Sequence, residues 1–322
     1  METRTTSNPE DWYENISLNQ RFSRGDLETL KYILTLIKDC QTTARTGGDV
    51  DINFERLRNR LHTMEFYDFI SGVLIKKSKV LEDGGLETIF EDVQYPWDIR
   101  ADALSLYRKW RNGILDPHLL RGIDTKKGKT LKAQNFFSRS IDRAYLGRIS
   151  CNYAGAGNLV NGQWWPLQIC AMRDGAHGEI EGGIHGKRGE GAFSIVLSGG
   201  GYSDVDEGDV IKYCGTSGAE EKASVGTECL KESFNSGQEI RVLRSSSLSR
   251  NNPYRPPKGL RYDGVYEIVD YEMLDRDTAM HRFTLRRCEN QDPIRCCGDE
   301  KRPTDEELAE YSKVRGLIGL SN

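Results

Sequence analysis

Apolar residues in the first third of the chain recur every three or four positions, which is the period of an amphipathic α-helix. The clearest case is residues 26–40, where Ser23 or Asp26 can cap the first turn. Its apolar face consists of Leu27, Leu30, Ile33, Leu34 and Ile37. Similar stripes occur at residues 54–64, 69–82 and 99–110. We therefore expect a helical domain over residues 25–123 with an ordinary apolar core, after a polar, disordered lead of residues 1–24.

Shorter segments rich in β-branched and aromatic residues follow in the second half of the chain and predict strands. They lie at residues 164–172, 192–197, 210–214, 240–244, 264–271 and 281–287. A basic linker at residues 124–145 separates them from the helical domain, and a C-terminal charged tail, residues 301–322, contains a predicted helix at 305–314. The pattern predicts an α+β fold, with helices first and strands after them.

Composition is typical of a globular intracellular protein. With 322 residues and 37% hydrophobic content, the chain has room for one large or two medium-sized domains. No stretch is apolar enough for a membrane span, and the N-terminus lacks the apolar centre of a signal peptide. The eight cysteines show no Cys-x-x-Cys spacing, so we expect reduced, mostly buried thiols, no metal site and no cofactor.

The net charge of −4 is unfavourable for nucleic-acid binding, which depends on neutralising phosphates. The local distribution differs from the total, because the segment from Arg241 to Arg261 contains six basic residues and no acid. Residues 126–148 form a second basic run, interrupted only by Asp142. Such runs most often mark solvated faces, and a DNA-facing surface is the alternative.

Residues 182–218 combine glycine-flanked turns, a buried strand and a cluster of acids. The segment opens Gly-Gly-Ile-His-Gly, passes the strand at 192–197, and reaches three consecutive glycines, which let another group approach the main chain closely. The acids are Asp204, Asp206, Glu207 and Asp209. Together with the Tyr-Cys-Gly end of the next strand and a later Tyr-Asp-Gly triplet, five motifs occur in a fixed order. In this order they resemble the SET- and RING-associated (SRA, or YDG) domain family over residues 146–293.

This family reads methylated cytosine in DNA, so the resemblance implies both a fold and a partner. The fold is an SRA-like twisted β-barrel with flanking helices over residues 146–300, behind the helical N-terminal domain. The implied partner is double-stranded DNA carrying 5-methylcytosine, with histones or other chromatin proteins as further candidates and no membrane. The implied role is that of a chromatin reader in the nucleus. Neither a RING nor a SET sequence follows, as in stand-alone members of fungal type.

Family members flip the methylated base into a pocket built from aromatic faces, a carboxylate and main-chain groups. At the matching positions, Tyr213 is expected as a stacking face, and Asp204 as the acceptor for the cytosine amino group. Tyr202 can supply the second stacking face only if the loop shifts by one residue. The remaining lining residues are expected to be Gly183, Ser198, Gly199, Gly200, Cys214 and Gly215.

Several positions depart from the family pattern. Glu181 stands where the family inserts a residue into the groove, and Cys214 stands where many members have threonine. Some members have a long loop after the Tyr-Cys-Gly strand end that contacts the opposite DNA strand. Here only residues 219–235 are available before the next predicted strand, at 240–244. The residues expected at the DNA backbone or groove are Glu181, Lys187, Arg188, Arg244, Arg250, Arg255 and Lys258.

The remaining motif residues are expected to be scaffold. They are His185, Tyr262, Asp263 and Gly264. The triplet is expected to form a turn that opens a strand, with Asp263 fixing backbone donors. Taken singly, Tyr202 and Tyr213 are also compatible with half-buried strand aromatics, and the acids with a solvated turn or a loose cation site.

Two rival functions remain. The first is a specificity module of a modification-dependent nuclease, although the sequence shows no second carboxylate and lysine set or histidine-rich metal motif. The second is an SRA fold retained for protein interaction without methyl recognition, which the short loop, Glu181 and the acidic net charge favour. We expect no catalytic residues and no enzymatic activity.

Overall fold

The computed structural model describes residues 9–127, 137–199 and 203–317. The chain divides into two compact units, Met1–Arg121 and Gly122–Asn322. Within the described ranges no helix has the length and apolar character needed to traverse a bilayer.

The first unit is helical in its described part. Its helices are α1 (Pro9–Glu14), α2 (Arg24–Arg45), α3 (Asp51–Glu65), α4 (Gly72–Ser78), α5 (Leu86–Glu91) and α6 (Trp97–Arg111). The Ser23 side chain caps α2 by accepting a hydrogen bond from the Asp26 backbone N–H at 3.3 Å. One continuous apolar cluster forms the core, in agreement with the predicted stripes.

Two short helices of this unit differ from the sequence-based expectation. α1 lies in the lead predicted to be disordered, and its Tyr13 is only 3% exposed. α5 lies in a stretch where no helix was expected. Each has six residues, which is too short to show a helical period in the sequence.

The second unit begins with a β-hairpin where a linker was expected. β1 (Ile123–Lys127) pairs antiparallel with β2 (Phe137–Ile141), and Ile123 lies opposite Ile141. Both strands are rich in charged residues and serine, so their composition resembles that of a linker.

An eight-stranded sheet forms the body of this unit. Its strands are β3 (Trp164–Trp165), β4 (Ile184–Lys187), β5 (Gly191–Leu197), β6 (Val205–Asp206), β7 (Val210–Cys214), β8 (Ile240–Ser245), β9 (Leu260–Asp275) and β10 (Met280–Arg287). The strand order is β4-β5-β8-β9-β10-β7-β6, with β3 paired to β9. β5 and β8 run parallel, whereas the other pairs are antiparallel.

The predicted strand at residues 164–172 is wrong beyond its second residue. Pro166 follows β3, and α7 (Gln168–Arg173) occupies most of the remainder. Ile169, Cys170 and Ala171 are consecutive and all buried, a pattern that does not distinguish a strand from a short helix. A second helix outside the predictions, α8 (Val225–Ser236), fills much of the stretch interpreted as a loop after β7.

The sheet curls until its distant strands meet. β4 and β7 are five strand spacings apart in the sheet order, which is roughly 24 Å in a flat sheet. Nevertheless, the Tyr213 hydroxyl on β7 donates a hydrogen bond to the carbonyl of Gly183, directly before β4, at 3.1 Å. Side chains of β5, β7, β8, β9, β10 and α8 share one core. In the described part of the chain no backbone ladder joins β4 to β6, so the sheet is curled but open.

A final helix, α9 (Asp305–Val314), has the predicted bounds and packs against the sheet. Thr304 and Glu307 form a capping box at its N-terminus. Tyr311 is 7% exposed and meets Trp164 edge-on, with ring centroids 6.1 Å apart. The charged tail is thus structurally part of the second unit.

Candidate functional site

The turn before β4 meets β7 at Gly183. Its carbonyl accepts hydrogen bonds from the Val196 backbone N–H at 2.8 Å and from the Tyr213 hydroxyl at 3.1 Å. A Cβ atom at this position would lie 2.8 Å from the Tyr213 oxygen, so any larger residue would displace the tyrosine. Tyr213 is only 6% exposed, so the burial of its ring and the hydrogen bond of its hydroxyl together fix the orientation of the side chain.

His177 positions the same turn, although it is not among the site residues predicted from the motifs. Its Nε2 donates to the Gly182 carbonyl at 2.9 Å, and its Nδ1 therefore accepts from the Ser194 hydroxyl at 2.8 Å. Burial lowers the pKa of His177 to about 3, which keeps the ring neutral. The Gln168 side chain also donates to the Gly182 carbonyl, at 2.7 Å. No local sequence signal identifies this contact, because Gln168 and His177 lie outside the turn.

His185, which is expected to be a scaffold residue, lies close to polar side chains from two other segments. Its Nε2 lies 2.8 Å from the Asn152 side-chain oxygen, and its Nδ1 lies 3.5 Å from a Glu179 carboxylate oxygen. Burial lowers the pKa of His185, and the Glu179 contact opposes that shift only in part.

Asp204 lies at the start of the acidic loop and reaches the end of β7. Its Oδ1 accepts a hydrogen bond from the Cys214 backbone N–H at 2.7 Å. Burial raises the pKa of Asp204, despite this hydrogen bond and the adjacent Cys214 thiol. Among the described residues, no other N–H or O–H group donates to the carboxylate. The side chain is therefore a half-buried acceptor whose charge is incompletely compensated.

Asp206, two residues later, has a different environment. The Arg244 guanidinium clamps it with two hydrogen bonds, Nε to Oδ2 at 2.8 Å and Nη2 to Oδ1 at 2.7 Å. Asn252 adds a third hydrogen bond at 2.9 Å. Burial alone would raise the pKa of Asp206, but the bonds and charge of Arg244 outweigh it and lower the pKa. Asp206 is thus part of a buried ion pair and not of a solvated turn.

The Tyr-Asp-Gly triplet differs from its predicted conformation. It lies inside β9, and Asp263 accepts hydrogen bonds from arginine side chains instead of backbone donors. Arg244 Nη1 lies 3.0 Å from Asp263 Oδ2, and Arg261 Nε and Nη2 bind the same carboxylate at 2.5 and 2.9 Å. Arg244, Arg261 and Asp263 are at most 1% exposed.

These contacts change the interpretation of the basic run. Arg241, Arg244 and Arg261 have almost no exposed surface, so in this structure they cannot reach a phosphate. The expectation that Arg244 contacts the DNA backbone is therefore wrong. Arg250 and Lys258 are exposed, whereas Arg255 is half-buried and donates from Nε to the Ser246 carbonyl at 2.7 Å. The sequence does not distinguish the exposed basic residues from the buried arginines, because a basic run does not indicate which side chains point inward.

The other predicted residues fall into three groups. Ser198 and Gly199 are exposed at the end of β5, while Cys214 and Gly215 are buried at the end of β7. Glu181, Lys187 and Arg188 are exposed around β4, and Lys187 pairs with Glu190. Gly200 and Tyr202 lie outside the described residues. The described ranges contain no group of three or more metal-binding side chains.

This region combines three kinds of group that a pocket for a planar polar ligand needs. It offers a half-buried carboxylate from Asp204, an oriented aromatic ring from Tyr213, and main-chain atoms around Gly183 and Gly199. Cys214, 3% exposed, adds a small apolar wall beside the carboxylate.

Comparison with known proteins gives the family of this region. The SAD/SRA domain family matches residues 154–291. The E3 ubiquitin-protein ligase UHRF1 of Danio rerio is 29% identical over 201 residues, which cover 50% of this chain and 26% of the relative. A UHRF1-like protein of Cryptococcus neoformans is 30% identical over 156 residues, which cover 41% of this chain and 45% of the relative. The chain therefore spans less than half the length of either relative.

Similarity to a solved structure covers less than half of this chain. The SRA domain of SUVH5, solved in complex with hemimethylated CG DNA, is 28% identical, with a TM-score of 0.37. The match covers 44% of this chain and 99% of that chain. The five ordered motifs lie in or next to the region matched by the family, and we conclude that residues 154–291 are a SAD/SRA domain.

Proposed function

We propose that this protein binds double-stranded DNA carrying 5-methylcytosine and holds the methylated base, flipped out of the duplex, between Asp204 and Tyr213. The observation that carries the proposal is the half-buried Asp204 carboxylate, whose pKa is raised by burial. A charge kept in such a place costs free energy unless a partner compensates it. The amino group of cytosine is a donor of the right kind, because it can bond to a carboxylate on the Watson–Crick edge.

The surrounding residues suit the same base. Tyr213 offers a ring whose hydroxyl is already bound to Gly183, so little side-chain freedom remains to be lost on stacking. The Cys214 side chain is small and apolar and supplies a wall for the methyl group. Burying one methyl contributes only about 0.8 kcal/mol, so stronger discrimination must come from the fit of the whole base. In this proposal the curled sheet is the barrel of the SRA domain.

The family suggests a setting for this activity. We propose a role as a nuclear, chromatin-associated reader of DNA methylation, with histones or other chromatin proteins as further partners, and without enzymatic activity of its own. The activities of the longer relatives are not part of this proposal, because the chain matches only a portion of each.

A binding titration tests the proposal. One duplex is prepared in unmodified, hemimethylated and fully methylated forms, with 2-aminopurine beside the target cytosine. We expect tighter binding of the methylated forms and a rise in 2-aminopurine fluorescence as the base leaves the stack. Tyr213→Ala should weaken binding of methylated DNA by about 1–3 kcal/mol through lost stacking. Tyr213→Phe, the matched control, retains the ring and should lose less.

The other outcomes separate the rival functions. Equal affinity of the wild-type protein for all three duplexes would refute methyl recognition and favour a protein-interaction module. Cleavage of a methylated plasmid in the presence of magnesium would support the nuclease alternative.

A further inference from the structure

Two arginines and two aspartates form a charge-balanced group in the interior of the second unit. Arg244, Arg261 and Asp263 are at most 1% exposed, and the Asp206 side chain is 4% exposed. Arg244 lies at the centre, because it binds Asp206 on β6 and Asp263 on β9 simultaneously. Arg261 binds only Asp263 among these acids.

The contacts of Arg244 extend along the acidic loop. Its Nη2 donates to the Gly208 carbonyl at 2.8 Å, and the Tyr266 hydroxyl donates to the same carbonyl at 2.8 Å. Tyr254 also contacts the loop: a Cβ atom at Gly208 would lie 2.5 Å from its ring, and the Arg244 guanidinium lies over that ring, 5.2 Å from its centroid. Gly208 also has φ +82°, which favours glycine. The loop is therefore held by both Arg244 and Tyr254.

Asp204 is attached to this clamped segment. Val205 and Asp206 form β6, which pairs with Lys212 and Ile211 of β7, and Asp204 directly precedes them. The Asp204 carboxylate accepts from the Cys214 N–H and lies next to the Cys214 thiol, both at the end of β7. A shift of Asp206 would therefore carry Asp204 with it.

A role in stability alone does not account for this arrangement well. Buried ion pairs rarely stabilise a fold more than apolar residues of similar volume, because desolvation offsets the attraction. The two hydrogen bonds from the Arg244 guanidinium instead fix both the orientation and the distance of the Asp206 carboxylate. Asp206 lies on the loop that carries the proposed base-binding carboxylate of Asp204.

We propose that Arg244 is a positioning residue for base recognition, which holds the loop at residues 204–209 so that the Asp204 carboxylate faces the pocket. Arg244 does not touch DNA in this role. The inference rests on the proposed function, since Asp204 matters only if the pocket receives a base.

The test compares the same substitution at two neighbouring positions. Arg244→Lys removes the two-bond fork on Asp206 and the bond to Gly208, whereas Arg261, equally buried and bound to the same Asp263, donates to no residue of the loop directly and reaches it only through the Tyr254 carbonyl. Arg261→Lys is therefore the control that disturbs the same charged group without removing a direct hydrogen bond to the loop. The ratio of affinities for methylated and unmodified duplex should fall about tenfold in Arg244→Lys. The ratio should be retained in Arg261→Lys, although thermal unfolding of both variants occurs at lower temperature.

A second readout needs no DNA. The Cys214 amide donates to Asp204, so its hydrogen exchange reports whether the carboxylate is in place. Exchange of this amide should accelerate about tenfold or more in Arg244→Lys and remain at the wild-type rate in Arg261→Lys. If Arg244→Lys fails to fold, Asn252→Ala, which removes one hydrogen bond to Asp206 from a half-buried position, should give the same changes with smaller amplitude.

The outcomes distinguish the two proposals. Equal losses of the affinity ratio and equal acceleration of exchange in Arg244→Lys and Arg261→Lys would show a purely structural role and overturn the inference. Accelerated exchange confined to Arg244→Lys, with a wild-type protein that does not discriminate methylated DNA, would confirm the positioning of Asp204 but refute the proposed function.

Discussion

Asp204 and Asp206 lie two residues apart, and the protein shifts their pKa values in opposite directions. Burial raises the pKa of Asp204, so the fold favours its protonated form. For Asp206, burial acts in the same direction, but Arg244 outweighs it and the fold favours the ionised form. One carboxylate is thus stabilised as part of an internal ion pair, and the other remains an incompletely compensated acceptor. This difference separates a structural residue from a candidate binding residue on a single loop.

We predict that Asp204→Asn raises the unfolding temperature at neutral pH while weakening methylcytosine binding. A raised pKa in the folded state means that the stability contributed by protonation is lost as pH rises through that pKa. Asparagine can keep accepting from the Cys214 N–H without carrying a charge. The gain should be on the order of a few degrees, and it should disappear as pH falls through the pKa of Asp204. Thermal unfolding followed from pH 4 to 8 measures it.

Asp206→Asn provides the opposite control. Its pKa is lowered in the folded state, so its contribution to stability is present above the ordinary aspartate pKa of about 4 and is lost at lower pH. The substitution should destabilise the protein at neutral pH by about 3 kcal/mol, because Arg244 loses a charged partner. A destabilised Asp204→Asn at neutral pH would contradict the assignment of the two residues.

At the scale of elements, α8 restricts the segment that follows β7. Cys229 and Leu230 of this helix are buried in the core of the sheet. The preceding segment is tied to the β9–β10 hairpin by hydrogen bonds from Gly215 N–H to the His281 carbonyl at 2.8 Å and from Gly218 N–H to the Thr278 carbonyl at 2.7 Å. Little chain is therefore left free to reach across a duplex from this position.

We predict that the preference between hemimethylated and fully methylated duplexes is small, within about threefold, because the described segment after β7 leaves little free chain to contact the opposite strand. Competition binding with the two duplexes, at equal salt, measures the ratio. Preference of tenfold or more for the hemimethylated form corresponds to about 1.4 kcal/mol of additional contacts and would contradict the prediction.

At the scale of the whole molecule, the net charge of −4 requires that any DNA affinity come from a local basic surface. Arg250 and Lys258 are the exposed members of the basic run that contains Arg244. We predict that reversing the charge of both residues to glutamate weakens the binding of unmodified and methylated duplexes equally. The slope of log affinity against log salt concentration should fall by about the amount expected for two phosphate contacts. A mobility-shift assay at several salt concentrations tests this.

Reversal of Lys38 and Arg45, which are exposed on α2 in the first unit, is the matched control for this experiment. It changes the net charge by the same amount. If both double variants weaken binding equally, total charge is responsible, and the basic surface around Arg250 is not a specific contact.

The sequence determined the elements whose patterns are local. β7 and α9 have the predicted bounds, and the helical face of α2 is buried as its period indicates, because alternation and helical spacing are properties of consecutive residues. The motif order also identified the family of residues 154–291 and brought Asp204 and Tyr213 forward as candidates. Short helices could not be predicted in this way, because α1, α5 and α7 have six residues each, which is too few to show a helical period.

Only the tertiary structure decided which charged residues face inward. Arg244 and Arg250 belong to the same basic run, but Arg244 is fully buried and Arg250 is exposed, because Asp206 on β6 and Asp263 on β9 lie beside Arg244. Likewise, the Gly183 turn is held by Tyr213 and His177, which are brought near it by the curling of the sheet and by the chain before it. Burial and pairing of polar groups depend on contacts between remote segments, and a sequence read locally contains no record of those contacts.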